Sequence, residues 1–251
     1  MLKFLICGLE HTGTTLVSDL FRQVPGLDSG FECGVLLCDT PRDFIKLNPF
    51  AKNMLSGWGL TKEELNECCK KETFAEFYEA IAGHSSAISK DTNTIFDKTP
   101  RYLASLSSVL QRCDVPIIVT YKDPRAIVFS DYKRSGDTSF HTWYQQYRGT
   151  KINYVQTAYN QFSSHKKNPR VVTVGLEDLA MNFRQNAEAI FSHVGEGFDI
   201  DYAIIDNLRY KNTRSRTVSA EIAFEYRSVL SEENQNQILE DFGKLEDWIY
   251  Q

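Results

Sequence analysis

Apolar residues recur along this chain in two patterns, short unbroken runs and longer stretches with helical spacing. The runs are bounded by Gly, Pro or charged residues and predict buried strands. They cover 4–7, 94–98, 115–121 and 170–175. In the stretches between and after them, apolar side chains recur three and four residues apart, which predicts amphipathic helices. These helices are expected near 16–24, 61–71, 73–82, 103–110, 124–135, 141–165, 183–194 and 230–242.

Strands that alternate with helices are typical of a parallel sheet with helices packed on both faces. We therefore predict a three-layer α/β sandwich with a helical C-terminal part, in a single domain spanning 1–251. The stretch 28–60 contains prolines and glycines and is expected to be irregular. Thr61 and Glu64 have the spacing of a capping box, so a helix should begin after Thr61. In such sheets ligands bind beyond the carboxyl ends of the strands.

Composition narrows the class of protein and of ligand. Of the 251 residues, 42% are hydrophobic and 24% are charged, which is typical of a globular protein. The net charge of −5 argues against a nucleic-acid partner, so any anion site must be a local cluster of cations. No apolar run approaches the roughly 20 residues of a membrane span, and the N-terminal run is too short for a signal peptide, so a cytoplasmic location is expected. The six cysteines lack metal-ligand spacing, and we predict free thiols and no metal.

The first predicted strand ends in GLEHTGTT, residues 8–15, and a predicted helix begins inside this sequence. Gly8 and Gly13 permit a tight turn and a close approach of the backbone to an anion. Backbone N–H groups at the helix start, with the hydroxyls of Thr14 and Thr15, favour negative charge there. Thr14 stands where a nucleotide triphosphatase carries its loop lysine. The pattern therefore indicates a phosphate loop of another kind, or a glycine turn without a ligand.

A second polar group follows the strand 115–121, in the sequence YKDPRAIVFSDY. Lys122 lies at the strand end, Ser130 lies on the next helix, and Arg125 lies between them. A strand-end cation together with a helical hydroxyl can bind a second phosphate. Arg125 is also near the helix start, where a cation meets an unfavourable dipole, and a nearby bound anion would explain its position. The alternative is a solvated charged turn.

Three segments, in this order, resemble motifs of the sulfotransferases. GLEHTGTTLVSDLF resembles their phosphosulfate-binding loop, YKDPRAIVFSDY resembles their 3′-phosphate motif, and VVTVGLEDLAMNFRQNAEAIFSHVG is similar to their YEDL segment. Order and spacing match to about Gly195. The resemblance implies a doubly wound, P-loop-like α/β fold, the donor 3′-phosphoadenosine 5′-phosphosulfate (PAPS) and no metal. A phosphosulfate has no γ-phosphate, which accounts for the missing loop lysine.

The resemblance implies transfer of a sulfuryl group from PAPS to a hydroxyl on a sugar, a small metabolite or a tyrosine. Three positions depart from the family pattern. His11 stands where the loop usually has Lys or Arg, Lys122 replaces the 3′-phosphate arginine, and Leu176 replaces the tyrosine of YEDL. A basic stretch at 211–216 lies where the family has a late loop over the donor, or is a solvated turn. The residues expected to bind the donor are His11, Thr12, Gly13, Thr14, Thr15, Lys122, Arg125, Ser130, Lys211 and Arg214.

Sulfuryl transfer needs a base for the acceptor oxygen and positive charge near the sulfuryl and leaving phosphate groups. Small-molecule sulfotransferases of the cytosol have a histidine base two residues after a lysine, but here Lys98 is followed at that distance by Pro100. Tyrosylprotein sulfotransferases use a glutamate whose position, counted from the loop, falls on Glu32. Glycosaminoglycan sulfotransferases also favour a carboxylate base, and their SDY ending recurs here at 130–132. The resemblance therefore implies that Glu32 is the base and that Lys98 and His11 are catalytic cations. The alternatives are an ordinary loop acid for Glu32 and a surface lysine for Lys98.

Two other classes of function remain open on the sequence. A P-loop kinase uses a similar loop, but it needs a loop lysine and a metal-binding acid. A non-catalytic nucleotide-binding relative needs the fold and the loop without the base. The segment 28–60 and the helices of 61–83 are expected to shape an acceptor pocket, although no residue there identifies the acceptor.

Overall fold

The computed structural model describes residues 1–203 and 219–244. Within these ranges, parallel strands form a five-stranded sheet in the order β2-β3-β1-β4-β5. The strands are β1 (Leu2–Gly8), β2 (Leu27–Asp28), β3 (Thr94–Lys98), β4 (Ile117–Tyr121) and β5 (Val171–Gly175). The four strands predicted from apolar runs are confirmed. The two-residue strand β2 is too short to give such a run, and the sequence did not predict it.

The helices pack on both faces of this sheet, and most of them coincide with the predicted stretches. They are α1 (Thr14–Phe21), α2 (Phe50–Gly57), α3 (Lys62–Cys69), α4 (Phe74–His84), α5 (Leu106–Arg112), α6 (Pro124–Ser135), α7 (Phe140–His165), α8 (Leu176–Met181), α9 (Phe183–His193), α10 (Ala220–Ala223), α11 (Tyr226–Val229) and α12 (Glu232–Phe242). Short 3-10 helices lie at Val35–Leu37, Pro41–Lys46, Pro100–Ser105 and Ile200–Ala203. The expectation that 28–60 is irregular was wrong for α2, because Phe50, Ala51 and Met54 bury one face of that helix.

The sheet separates two hydrophobic cores, and strand β1 contributes to both. Leu5 and Cys7 face the core that contains α2 to α7, whereas Phe4 and Ile6 face the core that contains α1, α8 and α9. Alternate residues of a strand point to opposite faces, so a strand buried on both sides must be apolar throughout. This arrangement confirms the three-layer sandwich predicted from the alternating pattern.

Polar side chains cap the starts of some of the helices, α3 and α6 among them. Thr61 and Glu64 form the predicted capping box of α3: the Thr61 hydroxyl accepts from the Glu64 N–H at 3.2 Å, and the Glu64 carboxylate accepts from the Thr61 N–H at 2.7 Å. Asp123 caps α6 in the same way, accepting from the Arg125 N–H at 2.9 Å. Because Asp123 lies two residues beyond β4, this cap starts α6 at the carboxyl edge of the sheet.

The strand register brings the carboxyl ends together. Ile6 of β1 lies opposite Lys98 of β3, and Gly8 lies opposite Thr120 of β4. Parallel strands in this register release their following loops at one edge of the sheet. The loop after β1, the turn after β3 and the start of α6 are therefore neighbours.

The six cysteines are free thiols, and five of them are buried. Burial raises the pKa of the Cys38 and Cys69 thiols to about 11, so both are protonated near neutral pH. Among the helices of the two described ranges, none combines the length and apolar character needed to cross a membrane.

The first prediction concerns Gly8, where β1 passes into the loop. A Cβ at this position would lie 2.3 Å from the Thr120 hydroxyl oxygen and 2.6 Å from that of Thr12. We expect Gly8→Ala to lower the free energy of unfolding by about 1–3 kcal/mol through overpacking. Gly149→Ala is the matched control, because a Cβ in the middle of α7 meets nothing within 4 Å. The control should stabilise by up to about 1 kcal/mol. Denaturant unfolding measures both, and equal stabilities would contradict the close approach.

Candidate functional site

A cavity of about 310 Å³ lies at the carboxyl edge of the sheet. Its walls come from the loop after β1, the segment after β2, helix α6 and the α10–α11 segment. Among the residues predicted to act in the site, those that line the cavity are His11, Gly13, Thr14, Thr15, Glu32, Lys122 and Ser130. Residues distant in sequence, from both halves of the chain, therefore meet in one pocket.

The loop 8–15 presents the start of α1 to this cavity. Gly13 precedes the helix with φ 92°, a left-handed conformation that glycine adopts without strain. The space next to its Cα is also occupied, since a Cβ on residue 13 would lie 3.0 Å from a methyl carbon of Leu176. Among the described residues no side chain caps α1, and its first residues, Thr14 and Thr15, line the cavity. An uncapped helix start of this kind offers backbone N–H donors to an anion.

Thr12 faces away from the cavity. Its hydroxyl donates to the Leu9 carbonyl at 2.6 Å and lies 2.7 Å from the hydroxyl of Thr120, and the residue is 1% exposed. The side chain therefore fastens the loop to β4. The backbone N–H of Thr12 also donates to the Leu9 carbonyl, at 3.3 Å, and a role for Thr12 in anion binding stays a prediction.

His11 is held by a carboxylate of α6. Its Nε2 lies 2.9 Å from Asp131 Oδ1, while the hydroxyl of Tyr147 donates to Asp131 Oδ2 at 2.6 Å. Burial raises the pKa of Asp131, but the hydrogen bonds from His11 and Tyr147 outweigh it and leave that pKa below its ordinary value. The imidazole is thus fixed at the cavity wall by an ionised partner. The SDY sequence contains Asp131, but spacing alone did not connect it to His11.

Lys122 and Ser130 lie together as the sequence predicted. The Lys122 ammonium donates to the Ser130 hydroxyl oxygen at 3.0 Å, and that hydroxyl donates to the Ala126 carbonyl at 2.8 Å. Lys122 is only 5% exposed, so its charge is largely desolvated at the cavity wall. Arg134, one helical turn after Ser130, lines the same cavity. Its spacing of four residues from Ser130 is the signal that could have identified it.

Arg125 lies outside the cavity lining. Its guanidinium donates twice to Asp123, at 3.0 and 2.6 Å, and its Cζ lies 5.1 Å from the centre of the Tyr226 ring. The sequence analysis expected a bound anion to compensate the charge of Arg125 at the helix start. Asp123, the capping residue of α6, provides a compensating carboxylate instead. Burial raises the pKa of Asp123, but the bonds from Arg125 lower it further, below the ordinary value. A direct role for Arg125 in donor binding stays a prediction.

Glu32 and Lys98 form an ion pair at the other side of the cavity. Lys98 Nζ lies 2.9 Å from Glu32 Oε1 and 4.7 Å from the centre of the Phe31 ring. The lysine side chain is 3% exposed and the glutamate side chain is 24% exposed, so the carboxylate is the member that reaches the cavity. Pro100, at the position where the small-molecule sulfotransferases of the cytosol have a histidine, also lines the wall. Lys98 is thus a buried cation and not a surface lysine.

The remaining carboxylates of the cavity wall each have a basic partner. Lys133 pairs with Glu225, and Arg101 Nε lies 3.7 Å from Glu10 Oε1. Paired carboxylates repel an incoming anion less, so Lys122 and Arg134 make this part of an acidic chain locally basic. The predicted residues Lys211 and Arg214 lie outside the described residues. In the described ranges, no group of three or more His, Cys, Asp or Glu side chains is placed to hold a metal ion, and metal independence stays a prediction.

The parallel sheet with helices on both faces, together with the glycine loop at the start of α1, defines a P-loop-like α/β fold. Comparison with solved structures agrees with this fold. The sulfotransferase domain of the Synechococcus PCC 7002 olefin synthase matches with a TM-score of 0.67 at 18% identity, over 96% of this chain and 94% of that domain. The sulfotransferase domain from the curacin biosynthetic pathway matches with a TM-score of 0.64 at 14% identity, over 97% and 98%.

A mouse sulfotransferase complexed with PAP matches with a TM-score of 0.51 at 12% identity, over 96% of this chain and 82% of that one. A comparison with curated proteins gives no match. The model described as the sulfotransferase family matches residues 4–199. The chain therefore belongs to the sulfotransferase family, as its three motifs predicted. This membership does not favour the P-loop kinase or the non-catalytic relative.

Proposed function

We propose that this protein transfers a sulfuryl group from PAPS to an acceptor hydroxyl. The observation that carries the proposal is one cavity lined by the uncapped start of α1, by the hydrogen-bonded Lys122 and Ser130, and by the carboxylate of Glu32. Two separate anion sites suit a ligand with a phosphosulfate and a distant phosphate. The mouse relative is complexed with PAP (3′,5′-phosphoadenosine), which is PAPS without its sulfuryl group, and this complex supports the same donor.

Each end of the donor is proposed to bind a different part of this cavity. The backbone N–H groups at the start of α1, with Thr14 and Thr15, would hold the 5′-phosphosulfate. Lys122 and Ser130 would hold the 3′-phosphate, because a buried ammonium next to a hydroxyl makes charge-assisted bonds to phosphate oxygens.

The reaction itself is an in-line displacement at sulfur. The acceptor oxygen forms a bond to sulfur while the bond from sulfur to the 5′-phosphate oxygen breaks, and PAP leaves with that electron pair. Glu32 takes the proton of the acceptor hydroxyl, since it is the cavity carboxylate that is held beside the buried Lys98. Lys98 and His11 place positive charge or a hydrogen-bond donor near the transferred group and the leaving oxygen. The acceptor is a sugar, a small metabolite or a tyrosine, and transfer needs no metal.

The proposed activity is tested with isotopically labelled PAPS and a panel of sugars, alcohols, phenols and tyrosine peptides. Mass spectrometry then detects the addition of a sulfo group to an acceptor. Addition in the presence of a chelator would support metal-independent transfer. A panel in which PAP binds but no acceptor is sulfated would favour the non-catalytic relative.

The second prediction concerns the donor product. PAP should raise the unfolding temperature of the protein, because it binds the folded state at both anion sites; mass action gives about 2.7 kcal/mol at one hundred times the dissociation constant. A chelator should leave the shift unchanged, and adenosine 5′-monophosphate, which lacks the 3′-phosphate, should give a smaller one. Thermal denaturation measures all three. No shift with millimolar PAP would contradict the donor assignment.

The third prediction separates binding from turnover. Lys122→Ala should weaken PAP binding roughly 10- to 100-fold, the usual cost of one charged hydrogen bond. It should slow the reaction at saturating donor much less, because the 3′-phosphate is remote from sulfur. Lys122→Arg should keep or improve affinity. Lys70→Ala, a change of the same charge on the surface of α3, is the control. Unchanged PAP affinity in Lys122→Ala would show that another group binds this phosphate.

The fourth prediction concerns the base. Glu32→Gln should bind PAP normally but lose about 10²–10⁴ in turnover, the usual range when a general base is removed. Lys98→Ala should show a loss of the same kind. Single-turnover sulfation at saturating donor measures both, and Glu10→Gln, which changes another carboxylate of the cavity, should lose less than Glu32→Gln. Turnover of Glu32→Gln near that of the unmodified protein would exclude Glu32 as the base.

A further inference from the structure

Glu32 has an unusual backbone conformation. Its φ is +24°, in a region that residues with a side chain rarely adopt. Such a conformation costs free energy and persists where neighbouring contacts enforce it. The contacts that enforce it here lie on the two peptide groups next to Glu32, one on each side.

The peptide before Glu32 is held by Trp58. The indole Nε1–H of Trp58 donates to the Phe31 carbonyl at 2.9 Å, and the Phe31 N–H donates to the Gly57 carbonyl at 3.1 Å. The ring lies so close that a Cβ on Gly30 would sit 2.2 Å from one of its atoms. Trp58 is completely buried, and its own carbonyl accepts from the Ser85 hydroxyl at 2.6 Å. The indole is therefore a fixed support for this peptide.

The peptide after Glu32 is held by Asp97. The Cys33 N–H donates to Asp97 Oδ1 at 3.3 Å, and the Gly34 N–H donates to the Thr99 hydroxyl oxygen at 3.1 Å. Asp97 is 0% exposed and lies directly before Lys98, the ion-pair partner of Glu32. One strand end thus holds the backbone on this side of Glu32 and also supplies the cation for its side chain.

The Asp97 carboxylate is itself fully engaged. The hydroxyls of Tyr78 and Tyr102 each donate to Oδ2 at 2.7 Å, and the hydroxyl of Thr99 donates to Oδ1 at 2.9 Å. Burial raises the pKa of Asp97 above its ordinary value, and the hydrogen bonds lower it by a smaller amount. These three hydroxyls and the Cys33 N–H converge on one buried carboxyl group and hold it in place.

We propose that Trp58 and Asp97 are positioning residues for Glu32 in the sulfuryl transfer. The pair holds the two flanking peptides, keeps the strained φ and sets the carboxylate between Lys98 and the cavity. Neither side chain lines the cavity, so both act through Glu32. The inference rests on the proposed function, in which Glu32 is the base.

This role predicts a particular kinetic signature. A base displaced by about 1 Å loses roughly 10²-fold in rate, although the donor still binds. Removing the indole N–H of Trp58, or replacing the carboxyl group of Asp97 with an amide, should therefore lower turnover and leave PAP affinity nearly unchanged. The loss should vanish once Glu32 can no longer act as a base, because groups that act through one residue are not additive.

The test is a double-mutant cycle. Trp58→Phe and Asp97→Asn are each made in the unmodified protein and in Glu32→Gln, and single-turnover sulfation is measured with labelled PAPS and the fastest acceptor of the panel. We expect each change to lower turnover roughly 10- to 100-fold in the unmodified protein and less than about threefold in Glu32→Gln. PAP affinity should change less than about threefold throughout.

Three further measurements keep the test decisive. Tyr144→Phe removes one hydrogen bond of a buried side chain, to Asp241 at 2.9 Å, away from the cavity lining, and should leave turnover unchanged. Amide hydrogen exchange should speed up in the segment 30–34 for both variants, while exchange in the strands of the sheet stays unchanged. Tyr78→Phe, which removes a single donor to Asp97, provides a milder variant if Asp97→Asn does not fold.

The outcomes separate this inference from the proposed function. Equal losses in both backgrounds, or no local change in exchange, would show that Trp58 and Asp97 stabilise the fold without positioning the base. Full turnover in Glu32→Gln would instead reject the base itself.

Discussion

Strand β1 is paired on both sides with parallel strands, and its register places Ile6 opposite Lys98 and Gly8 opposite Thr120. The rest of the site depends on this pairing. Because all three strands end at one edge of the sheet, the loop 8–15, the buried Lys98 and the start of α6 are neighbours. Gly8 makes the register possible, since a side chain there would collide with Thr120.

Buried charge is the second constraint. Lys98 and Lys122 are almost fully removed from water, which is costly for an ammonium group. Lys98 offsets this cost with Glu32, and Lys122 donates to the Ser130 hydroxyl and interacts electrostatically with Glu177. A desolvated cation interacts more strongly with an anion than an exposed one does. Both lysines lie at the carboxyl ends of strands, Lys98 in β3 and Lys122 directly after β4.

The sequence could predict those parts of the fold that depend on local patterns. Apolar runs located four of the strands, and glycine spacing located the loop, because both reflect backbone constraints within a few residues. Local sequence patterns could not predict contacts between distant segments. The bond of His11 to Asp131 and the hold of Trp58 and Asp97 on the peptides around Glu32 join residues that only the fold brings together. Arg125 and Asp123 are close in sequence, but whether the arginine pairs with this carboxylate or with a bound anion depends on side-chain geometry.

The turn that carries Lys122 is also tied to the far end of the chain. Tyr226 donates its hydroxyl to Asp123 at 3.0 Å and packs its ring on Arg125, and the segment 219–226 forms one wall of the cavity. This wall lies beyond residue 199, where the family match ends. The shape of the pocket is therefore completed by a part of the chain that family membership does not define. Substitutions in the segment 219–226 would therefore alter the shape of the pocket while the sheet and the loop 8–15 stay in place.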